Sequence, residues 1–388
     1  MHTIASAKSM HTKHLSEALS LDTRQKLEIV ETAQFSKSGV IQLEQVQAWL
    51  LLAYYELLEK QEYQAMITAG RAFRLVQLCR LNEIDALEQP STIFPVSPTL
   101  ASPQNQVIDT FVRVEEKRRA FWIAYGLDTF LSLRCEWPIT FHEEAIRVRL
   151  PAPESSFKDD RTVRMSFLSD AMTESGRDLV SASPFAESMV FATIYQRCMK
   201  HRAESKAASP GSAAPQIWDK HEELSHTLDR YLQKTSHETA GSGGVSNVHP
   251  LRLFSYMLAQ SCIIYLSRTT AYMQSHAPEH QLSSVLHANR ARQAAERLAR
   301  FVKLMPLVSS FKAHPFLPSA IAAAANYLLN GCEGGSQNAP DAADLLQALR
   351  NLQDVNNLAK DVLLRVQTNT LDIPEQGGAV SSPVILQG

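Results

Sequence analysis

The sequence predicts an all-α protein made of many helices, and three observations support this prediction. Apolar residues recur three and four positions apart over most of the chain, as one buried face of a helix requires. No stretch alternates apolar and polar residues long enough for a strand, and no Asn-Gly or Asp-Gly turn separates two apolar runs. Glycine accounts for only 14 of 388 residues, about half of its usual share of roughly 7%.

The predicted helices follow one another along the chain, each with an apolar face. The first contains Leu43, Val46, Leu50 and Leu57 at helical spacing, and the second is predicted over residues 62–81. The remaining helices are predicted over residues 107–134, 185–202, 217–233, 251–272, 283–304, 319–329 and 342–366.

The segments between these helices are rich in Pro, Ser and Gly. Residues 84–105 contain four prolines, which no continuous helix tolerates, so they predict a long exposed loop. Residues 150–184 predict a second irregular stretch, and the Gly-Ser-Gly-Gly run at 241–244 predicts a flexible linker. The tail, residues 371–388, is predicted to be weakly ordered.

Charge and cysteine content exclude several function classes. The chain has 38 Lys and Arg against 40 Asp and Glu, a net charge of -2, which argues against holding nucleic acid by bulk electrostatics. The five cysteines each lie more than 50 residues from the next, which excludes a compact disulfide framework and closely spaced zinc motifs. They are interpreted as buried, reduced thiols of an intracellular protein. Residues 1–10 contain no apolar stretch of the length that a signal peptide needs, so we expect none, and the longest apolar run, residues 48–58, is too short to span a bilayer.

The possible metal and catalytic motifs are weak. His221 and His226 resemble a metalloprotease helix, but they lie five residues apart, which rotates them roughly 140° from each other on a helix. A solvated helix face is the better interpretation of this segment. Carboxylate pairs such as Glu115 and Glu116 are adjacent, so on a helix they diverge, and they are also interpreted as solvated faces.

Lys117, Arg118 and Arg119 form the densest basic cluster of the chain. DNA contact or nuclear import is one interpretation of this cluster. The cluster directly precedes the apolar residues 120–123, however, and arginines in that setting usually cover the core with their stems and pair with carboxylates. The structural interpretation is therefore preferred.

Several segments, taken in order, resemble the middle homology region of fungal-specific transcription factors. This region is a helical regulatory domain that normally follows a six-cysteine binuclear zinc cluster. Residues 43–58 and 69–75 resemble its leucine-rich helix and its Gly-Arg-Ala segment. Residues 116–122, Glu-Lys-Arg-Arg-Ala-Phe-Trp, and 127–132 resemble its Arg-Arg-x-Phe-Trp helix, and residues 146–151 end in the Leu-Pro that usually closes this block.

Three later segments, residues 183–188, 257–266 and 311–316, are similar to the branch of this family found beside secondary-metabolite gene clusters. The resemblance implies an all-α, multi-helix regulatory domain of the fungal transcription factor type over residues 41–331. A helical lead-in over residues 1–40 precedes it, and a C-terminal helix with the weakly ordered tail, residues 332–388, follows it.

The resemblance also marks six residues as a structural signature, as distinct from a chemical site: Arg71, Arg74, Arg118, Arg119, Trp122 and Asp128. A buried charge needs a partner, because desolvation without one costs several kcal/mol. These residues lie on the predicted helices 62–81 and 107–134. We therefore expect Asp128 to pair with an arginine of these two helices and to fix their packing.

The function implied by the resemblance is that of a nuclear transcriptional regulator that controls a fungal secondary-metabolite gene cluster. The cysteines of this sequence cannot form the zinc cluster, whose six thiolates must lie close together. We therefore expect little unaided DNA binding, and a co-regulator that acts through a DNA-binding transcription factor or by self-association. The alternative within this hypothesis is a truncated gene whose upstream exon encodes the cluster.

Two other function classes stay open. One is a helical scaffold or small-molecule-binding module without a direct transcriptional role, because apolar clefts between helices can bind ligands. The other is an enzyme, which would require convergent polar groups that the sequence does not display. We predict no enzymatic activity, no cofactor, no metal site and no membrane association; a small-molecule effector would be of unknown identity.

Overall fold

The computed structural model describes residues 13–37, 41–59, 62–88, 110–135, 137–173, 182–208, 214–241, 249–273, 278–303, 305, 313–330, 339–354 and 356–369. Within these residues the protein is all-α, as its sequence predicts. The α-helices are α1 (Ser16–Lys37), α2 (Leu43–Leu58), α3 (Glu62–Leu78), α4 (Phe111–Cys135), α5 (Glu154–Lys158), α6 (Leu168–Ala171), α7 (Pro184–Ala207), α8 (Ala214–Gly241), α9 (Pro250–Thr269), α10 (Pro278–Val302), α11 (Leu317–Asn330), α12 (Ala339–Leu352) and α13 (Asn357–Asn369).

Helix α9 forms the centre of the fold. Every residue from 253 to 264 is buried, and the helix packs against α7, α8, α10 and α11. A helix covered on all sides needs apolar or small residues around its whole circumference, which explains why this stretch lacks a charged residue. Helices α2 and α3 form a second layer with α1, and α4 connects the two layers by contacting α2, α3 and α7.

Local signals define several helix ends. Ser183 is the N-cap of α7, since its hydroxyl accepts a hydrogen bond from the amide of Ala186 at 3.2 Å, and Pro184 occupies the first turn. Gln45 returns its side chain to the amide of Gln42 at the start of α2, which completes a capping box.

The predicted C-terminal helix over residues 342–366 is wrong, because the structure contains two helices there. Asn356 explains the break: its Oδ1 accepts a hydrogen bond from the amide of Leu358 at 3.0 Å and begins α13, while its Nδ2 donates to the carbonyl of Pro315 at 2.8 Å. The irregular stretch at 150–184 contains the short helices α5 and α6, and an isolated antiparallel bridge joins Arg149 to Phe167.

Several predictions fall outside the described residues. These are the start of the lead-in, most of the proline-rich loop, the linker after Gly241, Cys332 and the tail at 371–388. The predicted domain boundaries at 40 and 331 stay predictions. Among the described helices, none combines the length and the apolar character that crossing a bilayer requires.

Candidate functional site

Helix α4 carries most of the sequence signature and lies against the segment that follows it in the chain. Within residues 120–132 every side chain is buried except that of Ile123. The preceding turns carry Glu115, Arg118 and Arg119, which lie three and four positions apart and so share one face of the helix. This face and the indole of the next turn hold the extended segment 147–152.

Trp122 fixes the middle of that segment. The indole is fully buried, and its Nε1–H donates a hydrogen bond to the carbonyl oxygen of Arg149 at 2.7 Å. The rings of Phe121 and Tyr125 pack edge-on against it, with centroids 5.2 and 5.3 Å away. Because a buried N–H without a partner costs free energy, this bond selects one register of the segment on α4.

Arg118 holds the same segment through Asp85. Its Nη2 and Nε donate to Oδ1 and Oδ2 of Asp85 at 2.6 and 3.0 Å, the two-pronged geometry that guanidinium and carboxylate groups favour. The same Oδ2 accepts a hydrogen bond from the amide of Arg149 at 2.9 Å. Asp85 is 5% exposed, so the pair links α4, the loop after α3 and the extended segment inside the protein.

Glu115 and Arg119 hold the end of the segment at Ala152. Oε1 of Glu115 accepts hydrogen bonds from the Ala152 amide at 2.8 Å and from Arg119 Nε at 3.1 Å. Arg119 Nη2 donates to the Ala152 carbonyl at 3.0 Å, and Nη1 contacts Glu154 at 2.7 Å. The guanidinium also lies 4.2 Å from the centre of the Phe157 ring. Both backbone polar groups of Ala152 are therefore satisfied by α4.

The interpretation of Glu115 as part of a solvated face is wrong, because its side chain is buried against Ala152. Burial raises the pKa of Glu115 above its ordinary value, while the Ala152 amide, Arg119 and Arg118 act in the opposite direction. The carboxylate thus depends on its partners, since a buried charge that loses its partner is strongly destabilising.

Asp128 has a partner other than the arginine that we expected. Its Oδ2 accepts hydrogen bonds from the backbone amides of Thr140 at 2.7 Å and Phe141 at 2.9 Å, so the carboxylate closes the turn that brings the chain back along α4. Burial raises the pKa of Asp128, and these two amides and His142 oppose that rise. Two backbone N–H groups replace a guanidinium here, because they would otherwise lack an acceptor.

Arg71 and Arg74 lie apart from the α4 group, which consists of Glu115, Arg118, Arg119 and Trp122. Arg71 joins α3 to α1 through Glu28 at 3.4 Å and Glu31 at 3.0 Å, and its guanidinium lies 4.3 Å from the centre of the Trp49 ring. Arg74 is exposed and donates to Gln77 on its own helix. The structure therefore brings Arg118, Arg119 and Trp122 together, and it places Asp128, Arg71 and Arg74 elsewhere.

The two arginines of the basic cluster are engaged inside the protein. The side chain of Arg118 is 11% exposed and that of Arg119 is 17% exposed, and each pairs with carboxylates. Their guanidinium N–H groups donate to the carboxylates of Asp85, Glu115 and Glu154. The donors that would bind a phosphate are therefore already occupied. The arrangement supports the structural interpretation of the cluster over DNA contact.

The histidine segment on α8 is solvated on one side only: Glu223 and His226 are exposed, whereas His221, Leu224 and Ser225 are buried. Its interpretation as a solvated face is therefore wrong for His221. His221 is fully buried, with its Nδ1 3.1 Å from Nε2 of His201 on α7. Its ring packs edge-on against that of His287 on α10, with centroids 4.4 Å apart, and Nε2 of His287 lies 3.1 Å from Oε1 of Glu222. Burial lowers the pKa of His201 to about 4 and that of His221 to about 3. Histidine rings from three helices meet here, and no group of three metal-ligating side chains occurs in the described part of the chain.

The sequence signal for one missed residue was present, and for another it was absent. Glu115 lies three positions before Arg118 and four before Arg119, the spacing at which helical side chains pair. Asp85 is 33 positions from Arg118 and lies within the predicted exposed loop 84–105, so neither spacing nor the loop prediction indicated a buried partner there.

Comparison with known proteins gives the family. A protein-family sequence model described as "Fungal specific transcription factor domain" matches residues 1–234. The asperfuranone cluster transcription factor of Emericella nidulans is 38% identical over 96% of this chain and 59% of its own length. The pigment biosynthesis transcriptional activator of Monascus ruber is 31% identical over 98% of this chain and 66% of its own length.

A third relative, the sorbicillinoid biosynthetic cluster transcription factor 1 of Penicillium rubens, is 32% identical over 95% of this chain and 64% of its own length. The chain thus spans about three fifths of the length of these relatives. No solved structure matches it. The matched family model covers the whole of α4 and the segment that it holds, and the chain belongs to the fungal specific transcription factor domain family.

Proposed function

We propose that this chain is the regulatory part of a nuclear transcription factor that controls a secondary-metabolite biosynthetic gene cluster. One observation carries the proposal: relatives named as regulators of such clusters align with 93–98% of the chain at 31–38% identity. Their similarity covers nearly the whole chain, so it is not limited to one motif. A regulatory role also agrees with a site whose polar groups hold backbone segments in place.

The second part of the proposal concerns how the protein is brought to promoter DNA. Net charge -2 and the wide spacing of the five cysteines argue against DNA binding by these 388 residues alone. We propose that it reaches promoters through a DNA-binding partner that supplies the zinc-cluster module. A zinc-cluster exon upstream in the same gene is the competing possibility, and it would provide the same module in cis.

The direct test compares three strains: the wild type, a deletion strain, and the deletion strain carrying an epitope-tagged copy. We expect the deletion to lower the transcripts of one contiguous biosynthetic cluster and the tagged copy to restore them. Chromatin capture should then place the tagged protein at the promoters of that cluster. Unchanged transcripts together with no promoter enrichment would overturn the proposal and favour a scaffold or ligand-binding module.

A second measurement separates the two routes to DNA. Mapping the 5′ end of the transcript shows whether codons for six closely spaced cysteines precede Met1. If they do not, the purified 388-residue protein alone should fail to retard promoter DNA at physiological salt. It should retard the DNA once the partner captured with it is added. Retardation by the isolated chain would contradict recruitment through a partner.

A further inference from the structure

A cavity of about 410 Å³ lies where α9, α10, α11 and α12 meet. Its volume falls within the range of small-molecule sites, which is roughly 300–1,000 Å³. No residue of α4 lines it, so it is separate from the group around Trp122. The space opens to solvent beside Lys303 and Asp344, so a ligand can reach it from the surface.

The floor of the cavity is apolar and buried. Leu253 on α9, Val302 at the end of α10, Leu317 on α11 and Leu352 on α12 line it, and each is 5% exposed or less. These side chains offer dispersion contacts and the hydrophobic effect, and the two charged residues among the described lining, Lys303 and Asp344, lie at the mouth instead. The floor therefore suits a rigid apolar body, such as a set of fused rings.

Among the described residues, the mouth of the cavity is polar and its two charges balance. Lys303 and Asp344 form an ion pair at 2.9 Å, with side chains 57% and 41% exposed. On the next turns of α12, Gln347 and Asn351 also line the space, and Gln347 Nε2 donates to Asn351 Oδ1 at 3.0 Å, a bond that does not use the Asn351 amide nitrogen. Carboxamides donate and accept without adding charge, so this rim matches hydroxyl or carbonyl oxygens better than an anion.

From this arrangement we infer that the cavity binds an uncharged, largely apolar small molecule whose carbonyl or hydroxyl oxygens lie at the mouth beside Asn351 and Gln347. The apolar body fills the floor between Leu253 and Leu352. A ligand in this position contacts all four helices, so its binding stabilises their mutual packing. The inference concerns binding alone and stands whether or not the chain regulates transcription.

The test uses the full chain and 6-propionyl-2-(dimethylamino)naphthalene, a neutral fluorophore with two fused rings and one ketone. We expect saturable binding with a blue-shifted emission as the rings leave water. Ala348 lines the cavity and is 8% exposed, so Ala348→Phe should fill it and weaken binding at least about tenfold. Ala343 lies exposed on the same helix, and Ala343→Phe, the matched control, should leave the affinity unchanged.

Equal affinity of wild type and Ala348→Phe would overturn the inference, since it would place the probe elsewhere, for example in the smaller cavity of about 250 Å³ beside Trp122. Absence of binding to the wild type would overturn it as well. Cooperative thermal unfolding of each variant shows that it is folded.

A second variant tests the polar end without filling the cavity. Asn351 is exposed, so Asn351→Leu should fold normally and should weaken binding of the ketone probe several-fold, as the loss of one hydrogen bond requires. 2-(Dimethylamino)naphthalene has the same rings without the ketone, and its affinity should not change in this variant. An equal loss for both probes, or no loss for either, would contradict the placement of the ligand oxygens at Asn351.

Discussion

The indole N–H of Trp122 and the carbonyl oxygen of Arg149 lie 2.7 Å apart inside the protein, although 27 residues separate them in the chain. This bond and the contact of Glu115 with the Ala152 amide mean that α4 binds the backbone of the extended segment more than its side chains. Asp85, which pairs with Arg118 of α4, adds a contact with the Arg149 amide from the loop after α3. Substitutions within the α4 group should therefore act on the position of this segment and on global stability.

Replacing Trp122 with Phe tests the central bond. The variant leaves the carbonyl of Arg149 buried without its donor and removes part of a fully buried ring, so we expect the free energy of unfolding to fall by about 2–4 kcal/mol. Urea denaturation measures this loss. Trp137 is 55% exposed, and Trp137→Phe, the control, should change stability by less than about 0.5 kcal/mol. Equal effects of the two substitutions would show that the bond contributes nothing.

Replacing Arg118 with Met tests the buried ion pair. Asp85 and Glu115 would keep their charge in a buried setting without the guanidinium, so we expect a loss of about 3–5 kcal/mol. Arg74 is exposed and bonds only within α3 among the described residues, so Arg74→Met should cost less than about 0.5 kcal/mol.

A double variant shows whether the penalty for Arg118→Met comes from the unpaired charge. Adding Asp85→Asn removes the charge and keeps an acceptor for the Arg149 amide, so it should recover part of the stability lost in Arg118→Met. If the two substitutions instead add, the two side chains act independently, and the pair is not the cause of the loss.

Sequence patterns predicted the helices well, because the apolar period of each long helix reflects a face that must be buried. Trp122 and Arg118 were also found, because their motif is distinctive. The partner of Asp128 could not be found in this way, since the amides of Thr140 and Phe141 belong to the backbone and leave no mark on residue type. Asp85 and His201 were missed for a related reason: each meets its partner through tertiary packing that joins different elements.

Two substitutions of Asp128 show whether its carboxylate acts as an acceptor for backbone amides or as a member of an ion pair. Asp128→Ala removes the acceptor of two amides and should cost about 2–4 kcal/mol, whereas Asp128→Asn keeps a carbonyl oxygen that can accept both and should cost about 1 kcal/mol or less. Burial already penalises the ionised carboxylate, which makes the neutral amide a tolerable replacement. Chemical denaturation of the two variants at neutral pH measures the difference. Equal, large losses would indicate that the negative charge itself is required, as an arginine partner would demand.

The histidine junction, formed by His201, His221 and His287 where α7, α8 and α10 meet, leads us to predict a loss of stability in mild acid. His201 and His221 share one hydrogen bond, so at least one ring must be neutral to accept it. Their folded-state pKa values, about 4 and about 3, lie below the ordinary value of 6.5. The unfolded chain therefore takes up protons that the folded protein refuses, and stability falls as the pH decreases through about 6.5 towards 4. Each neutral ring contributes a slope of up to about 1.4 kcal/mol per pH unit.

The variant His221→Phe isolates this contribution. The ring that titrates in the unfolded state is gone, so the slope of unfolding free energy between about pH 7 and 5 should decrease relative to the wild type, whatever the stability at pH 7. Glu115 and Asp128 also titrate with shifted pKa values, but both proteins contain them and the difference cancels. His226 lies exposed on the same helix, outside this buried contact, and His226→Gln, the matched control, should leave the slope unchanged. Parallel slopes for the wild type and His221→Phe would mean that the junction admits protons without opening, and that α7, α8 and α10 are held together by their apolar contacts alone.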